Sequence, residues 1–318
     1  MSLKIIGAGK GIPEKRVVNS ELAGFLDTGD DWIVSRTGIH GRYVCTTETL
    51  TDLSAAAARR AIENSKLTPG DMDMVICSTI GGDFRTPSLA CCVSERIGAK
   101  CPAFDLNAAC TGFIYALDVA SCFLSAGKAE NILIVCAEMM SKHLDWNDRN
   151  TSVLFGDGAA ACVVTNGNAL KYIEITASAN SGIMYIPSIA GNSPFYSREK
   201  DSEYLRMQGQ EVFKFAVTAA DAGIKQALTR LGVTADRIDW FILHQANKRI
   251  IDSIRTKLRQ PEEKFPVNIQ RYGNISSVSI PLLLHDMLED NRIKAGDTIF
   301  LSAFGGGLTV GSCVMVWE

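Results

Sequence analysis

Short apolar runs alternate with longer stretches of helical pattern along the chain. Residues 54–62 have the composition of a helix, and the apolar run at residues 75–77 follows them. A second helical pattern opens at residues 212–217, ends near Gly232, and precedes the apolar run at residues 241–243. Short apolar runs between helices are typical of strands buried on both faces. The pattern predicts an α/β fold in which helices cover mostly parallel sheets.

The same pattern occurs twice at a fixed spacing. The turn and strand at residues 67–77 match residues 233–243, and residues 128–135 match residues 294–301, so both matches share an offset of 166 residues. Two matches at one offset favour an internal duplication over chance similarity. The predicted halves are residues 1–167 and 168–318, divided at the polar turn Gly167-Asn168.

The segment at residues 104–114 carries the strongest chemical signal. It reads as a short strand, a turn of small residues, and a helix that begins near Cys110. A cysteine at a helix start lies beside unpaired N–H groups and the positive end of the helix dipole, which predicts a lowered thiol pKa and a reactive thiolate. The alternative is an inert, packed thiol.

Two further polar residues occupy comparable positions in the second half. His244 directly follows the predicted strand at residues 240–243, and Asn274 lies between an extended run and a helix. Because ligand sites gather at the carboxyl ends of strands in α/β folds, we expect the His244 side chain to face a cleft formed by the strand ends. The alternatives are a histidine that caps its own helix and an ordinary Gly-Asn turn. The other histidines, His40, His143 and His285, are interpreted as structural.

The spacing of Cys110, His244 and Asn274 also invites comparison with papain-like proteases, in which the histidine follows the cysteine by about 130–150 residues. The local sequence around Cys110 lacks the papain signature, and a duplicated α/β chain is a different fold, so this alternative is disfavoured. The glycine runs at residues 156–158 and 305–307 lack the lysine of a phosphate loop and precede strands. They are interpreted as hairpin turns or as close approaches of the backbone to a reacting oxygen.

Composition narrows the class of protein. The chain has 318 residues, 47% of them hydrophobic, and a formal net charge of −3. It therefore has no overall basic field for nucleic acid. Its ten cysteines form no C-x-x-C pair and its four histidines are far apart, so no metal site is predicted. No signal peptide and no apolar run of membrane-spanning length appear in the sequence, which predicts a soluble cytoplasmic protein. No cofactor is expected.

Taken together, these motifs resemble the thiolase-like condensing enzymes, and most closely the β-ketoacyl-acyl-carrier-protein synthase III family. The similar segments are residues 28–39, 108–113, 154–159, 244–247, 273–274 and 304–307. The resemblance covers nearly the whole chain. It implies a duplicated thiolase-like fold of two similar halves, each with a mixed sheet packed between helices.

The resemblance also implies a reaction. Cys110 would take an acyl group from acyl-CoA as a thioester, and malonyl-acyl-carrier protein would then lose carbon dioxide and attack it, which initiates fatty-acid synthesis. His244 and Asn274 would stabilise the enolate, while the N–H groups of Cys110 and Gly306 would hold the oxyanion. Phe304 would shield the site.

Other positions carry over from the family to substrate binding. Trp32 and Arg36 match its adenine clamp, and Thr86 lies where a larger residue often bounds the acyl pocket, which predicts longer or branched starters. The remaining matches line the CoA channel: Thr28, Arg149, Gly209, Phe213 and Asn247. Basic residues at the channel mouth would bind the acidic carrier protein: Lys214, Arg249 and Lys257.

Several alternatives stay open at this level. A related condensing enzyme of secondary metabolism and a non-catalytic acyl-binding paralogue share these motifs. A hydroxymethylglutaryl-CoA synthase would need a glutamate after the strand at residues 75–77, where this chain has Ser78-Thr79. A thiolase would need a second cysteine in a glycine loop, whereas Cys313 falls in a predicted strand. The family further implies a homodimer.

Overall fold

The computed structural model describes residues 3–188, 195 and 203–318, and here helices cover the faces of two main sheets. The strands are β1 (Lys4–Gly11), β2 (Arg16–Val18), β3 (Gly41–Tyr43), β4 (Met74–Ser78), β5 (Ala103–Leu106), β6 (Asn131–Met139), β7 (Asp157–Thr165), β8 (Leu170–Ala177), β9 (Met184–Tyr185), β10 (Arg206–Met207), β11 (Trp240–Leu243), β12 (Thr298–Gly305) and β13 (Thr309–Val316). The helices are α1 (Asn19–Leu22), α2 (Asp30–Thr37), α3 (Leu50–Ser65), α4 (Leu89–Ile97), α5 (Gly112–Ser125), α6 (Arg149–Ser152), α7 (Gly209–Leu231), α8 (Lys248–Leu258), α9 (Ile269–Tyr272) and α10 (Ser279–Glu289).

Both main sheets are mixed. The first has the order β1-β7-β6-β4-β5, and the second has the order β8-β13-β12-β11. In the first, β4 runs parallel to β5 and β6, while β7 runs antiparallel to β1 and β6. In the second, β11 and β12 are parallel and the remaining pairs are antiparallel. The predicted fold class is confirmed, with more antiparallel pairing than the apolar runs indicated.

The strand positions repeat the offset seen in the sequence. β8 begins and ends 166 residues after β1, and each forms an edge of its own sheet. The turns before α5 and α10 also correspond, at an offset of 167 residues: Ala109 and Ser276 both have φ of 46°, a left-handed conformation that is uncommon outside glycine. The predicted division at residues 167–168 falls between β7 and β8 and stays a prediction.

The two sheets share a central helical layer. Phe113 and Leu117 of α5 and Leu283 of α10 are buried in one apolar cluster with Ile76 of the first sheet and Ile242 of the second. Separate clusters lie beneath α3 and α4 on one outer face and beneath α7 and α8 on the other. Burial of apolar surface on both sides of each sheet therefore fixes the starts of α5 and α10 against the strand ends.

The predicted helices and strands at α3, β4, α7 and β11 are confirmed. The predicted helix start near Cys110 is also confirmed, because the 3-10 turn Ala109–Thr111 leads directly into the α-helix at Gly112. One local prediction is wrong. The residues before Asn274 form the short helix α9 and not an extended run, because Gly273 (φ 69°) ends that helix and turns the chain.

The glycine runs have different roles. Gly305 ends β12 and the next residues form the tight turn to β13, so this run is a hairpin as predicted. The run after Gly156 instead belongs to β7, which begins at Asp157. Across the described ranges, no helix combines the length and the apolar character that a membrane crossing requires.

Candidate active site

A cavity of about 1950 Å³ opens at the carboxyl ends of the strands, between the two halves. Its lining includes Cys110 after β5, His244 after β11, and Phe304 near the end of β12. Asn274 and Gly306 reach the same cavity from the turns after α9 and β12. The structure thus brings together all five residues that the sequence assigned to catalysis.

Cys110 lies at the foot of this cavity, with only 8% of its surface exposed. The hairpin strand β12 packs closely against its backbone: a Cβ atom on Gly305 would lie 2.8 Å from the backbone nitrogen of Cys110. Only glycine fits at that position, because a real Cβ does not approach a backbone atom so closely. The close packing brings the Cys110 N–H beside the turn that contains Gly306.

Burial raises the pKa of the Cys110 thiol to about 12, although the neighbouring Ser276 and the backbone of Cys110 itself act in the opposite direction. The sequence-based expectation of a lowered pKa is therefore wrong for the free protein, because the loss of hydration outweighs the favourable helix start. At neutral pH Cys110 is a thiol, and a neighbouring group must take its proton during nucleophilic attack.

His244 is buried, and its backbone N–H donates to the carbonyl of Ser302 over 2.8 Å. Burial lowers the pKa of its imidazole to about 3, so the ring is neutral at neutral pH. Its Nδ1 has no hydrogen-bond partner within the described residues. The alternative that His244 caps its own helix is wrong, because Asn247 caps α8 by accepting the backbone N–H of Arg249 over 2.9 Å.

Asn274 is held by its backbone and by one side-chain bond. Its N–H donates to Leu154 over 2.9 Å, and its carbonyl accepts from Gly156 over 3.1 Å, which forms an isolated bridge with the first half. The side-chain Oδ1 accepts the backbone N–H of Ser276 over 2.9 Å. Because Oδ1 is engaged, the Nδ2 amino group is the donor that this side chain offers to a ligand.

Glu138 belongs to the same region, although the sequence analysis did not single it out. It lies near the end of β6 and is completely buried. Its Oε2 accepts the N–H of Ile80 over 3.1 Å, and its Oε1 accepts the hydroxyls of Ser276 over 3.1 Å and Ser277 over 2.8 Å. Burial raises the pKa of Glu138 to about 7 despite these bonds.

The outer part of the cavity carries an aromatic and cationic group. The guanidinium of Arg36 lies 4.9 Å from the ring centroid of Trp32, and that of Arg149 lies 5.1 Å from it. The Asn247 amide donates to the backbone carbonyl of Arg36 over 3.0 Å, which ties α2 to the start of α8. Trp32 and Arg36 line the cavity, so an aromatic face and positive charge are available to one ligand.

The other predicted binding residues divide into two sets. The first set lines the cavity: Gly209, Phe213, Lys214, Asn247 and Arg249. The second set lies outside that lining: Thr28, Thr86, Arg149 and Lys257. Thr86 is exposed, so the cavity of a single chain gives it no contact with an acyl group. Arg149 lies beside the cavity, over the ring of Trp32, and its guanidinium also pairs with Asp27 at 3.0 Å.

Family models match both halves of the chain. The model described as 3-oxoacyl-[acyl-carrier-protein (ACP)] synthase III matches residues 104–181, and its C-terminal counterpart matches residues 228–317. The chain is 44% identical over 322 residues to β-ketoacyl-[acyl-carrier-protein] synthase III of Clostridium acetobutylicum, with 99% of each chain covered. It is 42% identical over 316 residues to the enzyme of that name from Aquifex aeolicus, again with 99% of each covered.

Solved structures agree with these matches. The crystal structure of the Aquifex aeolicus synthase III superposes with a TM-score of 0.93 at 39% identity, covering 99% of this chain and 100% of that one. The Pseudomonas aeruginosa enzyme gives 0.93 at 34%, covering 100% and 99%. The priming β-ketosynthase of the R1128 polyketide pathway gives 0.92 at 31%, covering 99% and 96%.

Proposed function

The chain belongs to the 3-oxoacyl-[acyl-carrier-protein] synthase III family, and from this premise we propose how its own residues carry out the family's condensation. The reaction joins an acyl-CoA starter to malonyl-acyl-carrier protein in the cytoplasm and initiates fatty-acid synthesis. The observation that carries the assignment of residues is the convergence of Cys110, His244 and Asn274 on one cavity whose outer part contains Trp32 and Arg36.

In the first step, the sulfur of Cys110 attacks the thioester carbonyl and CoA leaves. Covalent capture of the acyl group divides one difficult transfer into two easier ones. The carbonyl oxygen becomes negative in the transition state, and the N–H groups of Cys110 and Gly306 are the donors we assign to it. The close packing of Gly305 on the Cys110 backbone supports this pairing. One such donor typically lowers a barrier by about 3–4 kcal/mol.

In the second step, malonyl-carrier protein loses carbon dioxide, and charge develops on its thioester oxygen. We assign His244 and the Nδ2 group of Asn274 as the hydrogen-bond donors to that enolate. A neutral imidazole suits this role because its N–H donates a hydrogen bond to the oxygen. An imidazolium would be acidic enough to protonate the carbanion and so prevent the condensation. Phe304 lies against His244 and keeps water from it, and a dry site favours departure of the carboxylate.

Substrate delivery involves the outer part of the cavity. We propose that the adenine of CoA stacks on Trp32, while Arg36 and Arg149 bind the nucleotide phosphates or ring edges. Lys214 and Arg249 lie at the same opening and would attract an acidic carrier protein. Lys214 pairs with Glu211 at 2.8 Å, so Arg249 is the more available of the two charges. Thr28 and Lys257 lie outside the cavity lining, so their proposed roles in binding CoA and the carrier protein rest on the family resemblance alone.

We further propose that the chain forms a homodimer through β5. Within the described part of the chain, β5 pairs with β4 on one side and presents its other edge unpaired. An open edge strand is a template for pairing with a second copy. Asp105 of β5 accepts the N–H groups of Leu89 and Ala90 at 2.8 Å each, which places the Thr86 segment near this edge. The role of Thr86 in acyl selection thus requires a partner protomer.

The first test is intact-protein mass spectrometry after mixing with a panel of acyl-CoAs. We expect an acyl adduct on the wild type, none on Cys110→Ala, and loss of the adduct when malonyl-carrier protein is added. The acyl group that labels fastest identifies the starter. Failure of every acyl-CoA to label Cys110 would contradict the proposal and favour a carrier-loaded synthase of secondary metabolism or a non-catalytic paralogue.

A further inference from the structure

Glu138 contacts the turn that follows Asn274, although the two residues belong to different halves of the chain. Its Oε1 accepts the hydroxyl of Ser276 over 3.1 Å and that of Ser277 over 2.8 Å. Its Oε2 accepts the N–H of Ile80 over 3.1 Å, and the whole residue is buried. A carboxyl group removed from water depends on such bonds, because little else offsets the loss of hydration. The three bonds therefore fix the two serines against the end of β6.

Ser276 has a strained backbone conformation. Its φ of 46° lies in the left-handed region, where the Cβ atom of a residue other than glycine meets the neighbouring backbone. Strain of this kind persists where the surrounding structure holds the residue in place, and it is common at functional sites. The bond from the Ser276 hydroxyl to the buried carboxyl of Glu138 supplies such a constraint.

The backbone of the same serine orients the side chain of Asn274. The N–H of Ser276 donates to Oδ1 of Asn274 over 2.9 Å, so the amide presents its Nδ2 group on the opposite side. The direction in which this N–H points depends on the φ angle of Ser276. If the turn relaxed toward an unstrained φ, the N–H would swing away from Oδ1, and the amide would lose the contact that fixes its orientation.

We propose that Glu138 is a positioning residue for the decarboxylation step: through the hydroxyl of Ser276 it holds the left-handed turn that aims the Asn274 amide at the substrate. This inference rests on the proposed function and extends it, because a residue of the first half then sets the direction of a donor in the second. Glu138 lies outside the cavity lining, so it acts through Ser276 and Asn274, and no proton transfer is assigned to it.

The adjacent residues Ser276 and Ser277 provide a matched comparison. Both are buried, and both donate a hydroxyl to the same oxygen of Glu138. Of the two, Ser276 bonds to Asn274, whereas the Ser277 hydroxyl also approaches the carbonyl of Ser78 at 3.4 Å. Removal of either hydroxyl costs a buried hydrogen bond, but removal of the Ser276 hydroxyl alone frees the residue that orients Asn274.

The test measures condensation separately from acylation. Malonyl-carrier protein is added to enzyme whose Cys110 already carries the acyl group, and product is followed in a single turnover. Ser276→Ala is expected to slow this step by about 10- to 100-fold, because a misplaced catalytic group commonly costs up to about 10²-fold. Ser277→Ala should slow condensation by less than about threefold, and acylation of Cys110 should change by less than about threefold in both variants.

Two further substitutions separate positioning from a chemical role of the carboxylate or the hydroxyl. Glycine adopts the left-handed conformation without strain, so Ser276→Gly should condense at least about threefold faster than Ser276→Ala, although both lack the hydroxyl. In Glu138→Gln the amide can donate to both serine hydroxyls and accept from Ile80. Its loss of condensation rate should therefore be about tenfold smaller than that of Glu138→Leu, which has no polar group. A requirement for the charge or for the hydroxyl itself would give neither result.

A double-mutant cycle identifies the group through which Glu138 and Ser276 act. In the Asn274→Ala background, Ser276→Ala should slow condensation by less than about twofold further, because the amide that it positions is absent. The inference is overturned if Ser276→Ala has the same effect in both backgrounds, or if Ser276→Ala and Ser277→Ala slow the wild-type reaction equally. A wild-type protein that forms no acyl-Cys110, or an Asn274→Ala variant that condenses at the wild-type rate, would overturn the proposed function as well.

Discussion

The ring of His244 meets the ring of Phe304 edge-on, with centroids 5.3 Å apart and planes inclined at 69°. Both residues are buried, and burial is what lowers the imidazole pKa to about 3. The protonation state of the proposed donor therefore depends on an apolar neighbour and not on a charged partner.

Replacing Phe304 with alanine should admit water to His244. We expect the pKa of His244 to rise from about 3 toward its ordinary value, and the protein to lose about 3–5 kcal/mol of unfolding free energy from the vacated ring. An NMR titration of the imidazole would measure the first effect and thermal unfolding the second. Phe304→Leu retains an apolar cover and should change the pKa less. An unchanged His244 pKa in Phe304→Ala would mean that other residues around the imidazole exclude water from it.

The proposed donors His244 and Asn274 should be needed for condensation and not for acylation of Cys110. His244→Ala and Asn274→Ala are each expected to retain acylation of Cys110 while slowing condensation by about 10²–10³-fold, the usual effect of losing one oxyanion donor. Single-turnover measurements of the two steps would distinguish them. His40→Ala removes an exposed histidine outside the cavity and provides the matched comparison. Loss of acylation in the Asn274 variant would argue against this assignment.

Adjacent glycines give a paired test of the Cys110 backbone. In Gly305→Ala the new Cβ would lie 2.8 Å from the Cys110 nitrogen and would displace its N–H, so we expect acylation to fall by about 10²-fold or more. In Gly306→Ala the nearest atom to the Cβ would be the flexible end of Met184 at 3.3 Å, with Ala109 Cβ and the Met184 carbonyl oxygen both at 3.7 Å, and the backbone N–H remains. The loss of acylation rate in Gly306→Ala should therefore be at least about tenfold smaller than the loss in Gly305→Ala. Equal losses of acylation rate in the two variants would contradict a specific role for the close packing of Gly305 against the Cys110 nitrogen.

Trp32 should contribute to CoA binding and not to the chemical step. Trp32→Ala removes the ring that contacts Arg36 and Arg149, and we expect KM for acyl-CoA to rise by about tenfold at constant kcat. Trp32→Phe keeps a smaller aromatic face and should give an intermediate KM. A fall in kcat at constant KM would place Trp32 in the chemical step instead.

The raised pKa of Glu138 also makes a prediction about stability. Below its ordinary pKa of 4.5 the carboxyl is protonated in both folded and unfolded chains; between there and about 7 only the folded chain holds the proton. Stability contributed by the protonated group is thus lost as pH rises through 7. Relative to wild type, Glu138→Gln should gain up to about 3 kcal/mol of unfolding free energy across this window. Denaturant unfolding at pH 4.5 and pH 8 would measure it, and a pH-independent difference would contradict the assigned pKa.

Much of the site could be predicted because its residues follow strands. Cys110 and His244 lie at the ends of short apolar runs, and the carboxyl ends of parallel strands converge. Glu138 could not be found in this way. It interrupts an apolar strand without any neighbouring motif, and its partner Ser276 lies 138 residues away in the other half. The raised pKa of the Cys110 thiol could not be predicted for a related reason, since Cys110 is packed against Gly305 of the other half.

The matched turns at Ala109 and Ser276 bear on how a site of this kind can originate. In an assembly of two identical subunits, every substitution appears in both copies of a turn at once. Fusion of the two copies into one polypeptide lets each accept its own mutations. Here one turn carries Cys110, the proposed nucleophile, and the other carries Asn274, a proposed donor, so two turns that share a backbone conformation would serve different chemical roles.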